Sequence, residues 1–371
     1  MTISREHVPK NGERQARTER GAWRLSLLFS LLLCLLPALP MAGQEKLIVK
    51  DALGRTVTVP AKVSRVLSLQ PEVSRIVVAL GAGDMLVGRD DFIARYDHLF
   101  SIIYPPQGRL PVASAVDGAP NLEQVMRLRP DVVFASPSEF NIPDSLQRKT
   151  GIPVLALASM GRFEELLEEI RWVGAALGRT ERAAQLIECS KKVLDRVRKT
   201  VADIPADQRP RVYLSFWSSL TRTPVFYEPV TAAGGRNLAE GLVPAYLGTI
   251  GTDVNLEKVR SWNPDIILVQ GSFLPAERRV TTYGILHDSR LRSVRAVLNK
   301  KVFYTFGFWY WWDPALVLVE TLTLGKLFHP QRFQDIDIRR EGNAVFKTFY
   351  GIEAGFDTLC RKLDIRNWPW R

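Results

Sequence analysis

The residues best suited to chemistry are not acids, bases or nucleophiles but a run of aromatics. Phe306-Gly307-Phe308-Trp309-Tyr310-Trp311-Trp312-Asp313 follows one predicted strand and precedes a helix. Such rings offer stacking faces, and Tyr and Trp add a polar handle. Trp309, Tyr310 and Trp312 are the candidate ligand contacts. The competing use of the run is core packing, with Phe306 and Trp311 first in line. Trp217, after Phe216, and Tyr227 are further candidates in the same half of the chain. In the first half, Arg89, Asp90, Asp91, Arg95, Tyr96 and His98 follow a predicted strand, with Arg89 and Tyr96 the plausible contacts against a plain solvated loop. Ligands of open α/β sheets sit outside the carboxyl ends of the strands, where the run at 306–313 falls.

Other chemistry finds no support. Phosphate-loop, nucleophile-elbow and HExxH patterns are absent from the sequence. Gly81-Ala82-Gly83 reads as a turn after a helix. His98, His287 and His329 are scattered, which argues against a bare metal site. No cofactor and no catalytic residue is assigned.

The elements that must position these residues are announced by a repeated phrase. Asn121-Leu122-Glu123-Gln124-Val125 runs through Pro130-Asp131 into Val132, Val133, Phe134 and Ala135. Asn255-Leu256-Glu257-Lys258-Val259 runs through Pro264-Asp265 into Ile266, Ile267, Leu268 and Val269. The Asn-to-Pro spacing is nine in both, and the copies lie 134 residues apart. Asn is a good N-cap, Pro stops the helix, and each apolar run reads as a strand buried on both faces of a parallel sheet. The expected fold is α/β, with two Rossmann-like lobes and a ligand cleft between them. Glu123 and Glu257 occupy matching first-turn positions. They either complement the helix dipole or present one acidic knob per lobe to a two-fold basic partner.

The 371 residues suffice for two domains with two cores. Six Lys/Arg and three Glu before residue 44 leave +8 of the net +11 for the rest. No basic run interleaved with aromatics points to nucleic acid. Arg14, Arg17, Arg20 and Arg24 precede the apolar stretch Leu25–Leu36, then Pro37, Pro40 and Met41-Ala42-Gly43: a cleavable signal peptide over 1–43. The alternative is an uncleaved anchor. Leu33 before Cys34 argues against lipidation there. Export permits a disulfide between Cys189 and Cys360, but buried free thiols fit as well.

The chain then divides into an N-terminal lobe (44–179), a bridging helix (180–204), a C-terminal lobe (205–330) and a helical extension (331–371). The periodicity predicts a hairpin over 47–59, strands at 66–69, 85–88, 154–157, 212–216 and 302–306, and helices at 71–80, 144–149 and 163–177. It leaves 89–120 irregular, places a helix within 232–240 and opens another at Pro314. Apolar residues from Ala183 to Val201 recur at helical spacing over the bridge.

Together the signal, hairpin, two lobes, helical bridge and paired phrases resemble the class III periplasmic substrate-binding proteins, which serve ABC importers for ferric siderophores, haem and cobalamin. The likeness covers about residues 47–330 and extends to Leu327-Phe328-His329-Pro330 and Phe346-Lys347-Thr348-Phe349-Tyr350-Gly351. It implies a monomeric, non-enzymatic periplasmic receptor that hands a metal chelate, Fe3+ in a siderophore-like complex, to an ABC permease dimer. Corrinoid or haem is the rival ligand. An exported two-lobed enzyme and a sensor subunit are the rival functions. In that family one Glu per lobe docks on permease arginines, and Glu123 and Glu257 match by motif. Ser114-Ala115-Val116-Asp117-Gly118 lacks the Arg of some hydroxamate binders, which leaves the chelator open.

Overall fold

The structure is a computed structural model that describes residues 46–114, 119–136, 143–157, 161–216, 219–245, 250–270, 280–306 and 312–362. The proposed signal peptide lies outside them. The chain opens with an antiparallel hairpin, β1 (Lys46–Lys50) and β2 (Thr56–Pro60), turned at Gly54. Buried Asp51 holds its end in place. Its carboxylate accepts from the backbone N–H groups of Leu53 (3.1 Å) and Arg55 (3.0 Å), and from Ala156 (3.1 Å) in the neighbouring sheet.

Two parallel four-stranded sheets form the lobes. In the first, β3 (Val66–Ser68), β4 (Leu86–Gly88), β5 (Val132–Ala135) and β6 (Val154–Ala156) pair in the order β4-β3-β5-β6. The second contains β7 (Arg211–Ser215), β9 (Arg236–Asn237), β11 (Ile266–Gln270) and β12 (Val302–Thr305). Its order is β12-β11-β7-β9, beside a small antiparallel pair of β8 (Arg222–Pro224) and β10 (Gly251–Asp253). The strands after the two repeated phrases, β5 and β11, are both central and wholly buried, as their unbroken apolar runs require.

The Pro-Asp of each phrase has a structural role. Asp131 and Arg65 exchange backbone and side-chain bonds: Asp131 N–H donates to Arg65 O (2.8 Å) and the Asp131 carboxylate accepts from Arg65 N–H (2.9 Å). Asp265 and Arg211 repeat both bonds, at 2.8 and 2.9 Å. The guanidiniums of Arg65 and Arg211 then donate to carbonyls ending the preceding helix, at Leu128 and Trp262. Each helix closes on a left-handed residue, Arg129 or Asn263, both at φ 45°.

Two expectations are corrected. Residues 89–120 are not irregular throughout. Asp90 caps a helix over Asp91–Arg95, Asp97 caps one over His98–Ile103, and a 3-10 turn spans Pro105–Arg109. The helix placed within 232–240 instead covers Glu228–Ala232. Gly234 (φ 80°) ends that segment, and Arg236–Asn237 pairs with β7 as β9.

The long helix Thr180–Val201 packs against the Phe163–Ala176 and Leu316–Phe328 helices. Gly174 permits the first contact: a Cβ there would stand 2.5 Å from that of Ala183. The core also departs from the two-core expectation. Each sheet has an outer apolar cluster of its own, but the largest cluster is continuous across both lobes, the long helix and the C-terminal helices Ile338–Tyr350 and Gly355–Lys362. Cys189 and Cys360 are half-buried and are not joined in a disulfide.

Candidate functional site

The carboxyl end of β4 delivers Arg89. Its backbone is held on both sides, donating to Pro111 O (3.0 Å) and accepting from Ala113 N–H (2.9 Å). The half-buried side chain donates to the Gln107 carboxamide through one terminal nitrogen. Its buried Nε has no partner among the described residues. Burial pushes the guanidinium below its ordinary pKa, with Asp90 pulling the other way. An incompletely satisfied cation at a strand's carboxyl end is suited to an anionic ligand.

Asp90, the next residue, is buried. One oxygen accepts from Ile93 N–H (2.9 Å), and burial lifts its carboxyl to about 7. The short helix it caps ends at Tyr96, which is 41% exposed and packs obliquely on Phe92 at 5.9 Å between ring centroids. Arg89 and Tyr96 thus belong to one loop-and-helix unit, the first half-buried and the second open to solvent.

The aromatic contacts of the second lobe are different. Trp312 is 1% exposed, and so is Tyr227; their rings meet edge-on at 5.7 Å, and Trp312 lies 5.6 Å from Phe163 of the first lobe. Burial and Glu320 raise the Tyr227 phenol well above its ordinary pKa. These two side chains are core, which corrects their reading as stacking surfaces: a ring enclosed by other rings offers no free face. Phe216 and Phe306 are buried as well. Trp312 stands in the left-handed region at φ 61°, and its buried indole N–H has no acceptor among the described residues. Trp217, Trp309 and Tyr310 lie outside the described residues.

Glu123 and Glu257 are both exposed in the first turns of the Leu122–Leu128 and Leu256–Trp262 helices. Asn121 caps the first by accepting from Gln124 N–H (3.0 Å), and Asn255 caps the second by accepting from Lys258 N–H (2.7 Å). The local geometry is therefore duplicated. An open groove of about 480 Å³ beside Glu257 is lined by Leu242, Val243, Val254 and Ser261, and exposed Met126 follows Glu123 one turn on.

One feature escaped the sequence reading. Arg75, Asp97, Asp313, Glu72 and Glu320 are charged residues buried to 5% exposure or less. Arg75 donates to Asp97 through Nε (3.1 Å) and Nη2 (2.6 Å) and stands 4.0 Å from Asp313. Glu320 is a separate buried carboxylate: it stands within the apolar sequence of the helix Leu316–Phe328 and accepts from Phe306 N–H. Among the described residues, no group of three or more His, Cys, Asp or Glu side chains is placed to hold a metal ion.

Comparison with known proteins places this architecture. The periplasmic binding protein family matches residues 66–306. The molybdate-binding protein MolA of Haemophilus influenzae is 27% identical over 360 residues, 89% of this chain and 98% of that protein. The structure of MolA bound to molybdate superposes with a TM-score of 0.68 at 24% identity, covering 82% of this chain and 98% of that one. A cobalamin-binding protein of Halobacterium salinarum is 25% identical over 224 residues, 59% of this chain and 57% of that protein. A periplasmic solute-binding protein of Veillonella parvula gives a TM-score of 0.69 at 22% identity, covering 88% and 100%. At such identities the structural likenesses speak to the fold. The chain belongs to the periplasmic binding protein family in its class III form, and is a substrate-binding protein of ABC transport rather than an enzyme.

Proposed function

We propose that this receptor captures a negatively charged, metal-containing ligand in the periplasm and delivers it to an ABC permease dimer. The observation that carries the charge of the ligand is Arg89, a guanidinium with an unmatched buried Nε at the carboxyl end of β4. The first reading of the ligand is a metal oxyanion. It is supported by the near full-length similarity to a protein named for molybdate binding, and by the fit of a guanidinium fork to an oxyanion. The second is the ferric chelate implied by the family resemblance, favoured by exposed Tyr96. Mass spectrometry of ligand carried through purification from periplasm, followed by titration with molybdate, ferric siderophores, cobalamin and haem, tests both. Molybdate binding weakened by Arg89→Ala supports the first. Tight binding of an uncharged complex, indifferent to Arg89→Ala, would overturn the anionic reading.

Glu123 and Glu257 are proposed as the permease contacts, one per lobe. Both are exposed on helices fixed by the same cap and the same Asp–Arg clamp. A carboxylate there can take a bidentate, charge-assisted contact from an arginine.

A further inference from the structure

The helices beyond residue 331 do more than cover one lobe. Ile338–Tyr350 packs against Pro71–Ala79 of the first lobe, the long helix Thr180–Val201, and Leu316–Phe328 of the second. Gly355–Lys362 packs back on Ile338–Tyr350 and on His98–Ile103 of the first lobe, where Lys362 Nζ bonds Ser101 Oγ at 3.0 Å. Its Phe356 meets Phe306, next to the end of β12, edge-on at 5.3 Å. Arg182 of the long helix donates to Ala79 O (3.1 Å) and to Phe349 O (3.2 Å), gathering the carboxyl ends of one first-lobe helix and one C-terminal helix on a single guanidinium.

At the centre of this contact is the buried charge network. The Tyr350 hydroxyl donates to Asp313 Oδ2 at 2.6 Å. The other Asp313 oxygen accepts from the Ala315 and Leu316 N–H groups at 3.0 and 2.7 Å, fixing the start of the second-lobe helix. Asp313 in turn stands 4.0 Å from Arg75, which is bonded to Asp97. One path of buried polar contacts therefore runs from the first lobe, through the second, to the C-terminal extension. Buried polar groups of this kind tolerate few alternative arrangements, because each displaced partner leaves a charge unmatched in a dry interior.

We infer that the C-terminal extension is an interlobe brace: through Tyr350–Asp313–Arg75–Asp97 and the Phe306–Phe356 contact it sets the separation of the two sheets and restrains the cleft from opening. This inference does not depend on the ligand.

The test uses the full chain, with spin labels on unnatural residues introduced at exposed Lys149 and Ser293, one on each lobe, leaving the cysteines in place. Two variants loosen the brace. Tyr350→Phe removes the hydroxyl from Asp313. Gly342→Val pushes the last helix away, since a Cβ at Gly342 would lie 2.4 Å from the Phe356 ring. Without any ligand, both variants are expected to broaden the label-to-label distance distribution toward longer distances, Gly342→Val more, with faster amide exchange over 338–362. Faster exchange with an unchanged distribution would overturn the inference, because the extension would then be only a lid on a core that other contacts hold. Unchanged exchange and distribution in Tyr350→Phe would also overturn it, whether or not Gly342→Val folds.

Discussion

Arg89 and Trp312 exchange the importance that their types suggest. An arginine in a charged loop reads as solvated, yet Arg89 is held by its backbone, half-buried and only partly matched. Its replacement by Ala is expected to weaken binding of an anionic ligand by about 1.5–3 kcal/mol, the range for a hydrogen bond to a charged group; calorimetric titration reads this. Trp312 reads as a ligand platform but is enclosed by Phe163 and Tyr227. Trp312→Ala is therefore expected to cost about 3–5 kcal/mol of stability, as for other buried aromatics. Urea unfolding measures it, and an unchanged midpoint would return the side chain to the ligand.

Two buried acids set a pH dependence. Burial raises Glu72 to about 8 and Asp90 to about 7, opposed in Glu72 by Arg75 and in Asp90 chiefly by the Ile93 N–H bond. Their ordinary values are 4.5 and 3.8. Between the ordinary and folded values the folded chain keeps protons that the unfolded chain has released. Their contribution to stability is thus complete at low pH and lost as pH rises through the folded values. Glu72→Gln removes one of these titrations. Relative to the parent, its melting temperature should rise between about pH 5 and about pH 8. A parent-minus-variant difference that is flat with pH would contradict the assignment.

At the scale of elements, the repeated phrase makes two equal platforms. Cap, Asp–Arg clamp and left-handed end recur in both lobes, so Glu123 and Glu257 enter solvent from matching positions. Linking two contacts on one receptor raises the effective concentration of the second. The double change Glu123→Ala, Glu257→Ala is expected to abolish most uptake by reconstituted permease. Ligand affinity and stability should stay within about 0.5 kcal/mol of the parent, as for exposed substitutions. Normal uptake by the double variant would leave both residues as dipole complements only.

At the scale of the molecule, two sheets share one continuous core with the long helix and the C-terminal helices. Relative lobe movement must therefore disturb packed apolar side chains and the buried ionic path together. The division into lobes at 44–179 and 205–330, with a bridge over 180–204 and an extension over 331–371, stands as a proposal about which parts move as bodies. So does export: N-terminal sequencing of periplasmic protein should find a start at residues 43–45, whereas the intact N-terminus in the membrane fraction would mean an anchor.

The sequence alone determined the α/β class, the two sheets, the central strands β5 and β11, and the twin Asn caps. All of these follow from local rules: periodicity, capping and Pro placement act within a few residues. The short helices after Arg89 were also local, signalled by Asp90 and Asp97, and were passed over among the prolines. What only the tertiary structure decided is where side chains of ambiguous type go. Trp312 and Tyr227 could stack on a ligand or on each other, and nothing within their own segments chooses. Arg75 and Glu72 share the charged face of the Pro71–Ala79 helix. That face is buried because Asp97, Asp313 and Tyr350 arrive from positions 22, 238 and 275 residues beyond Arg75. Contacts between residues so far apart depend on how the lobes and the extension pack, and no spacing rule along the chain records that.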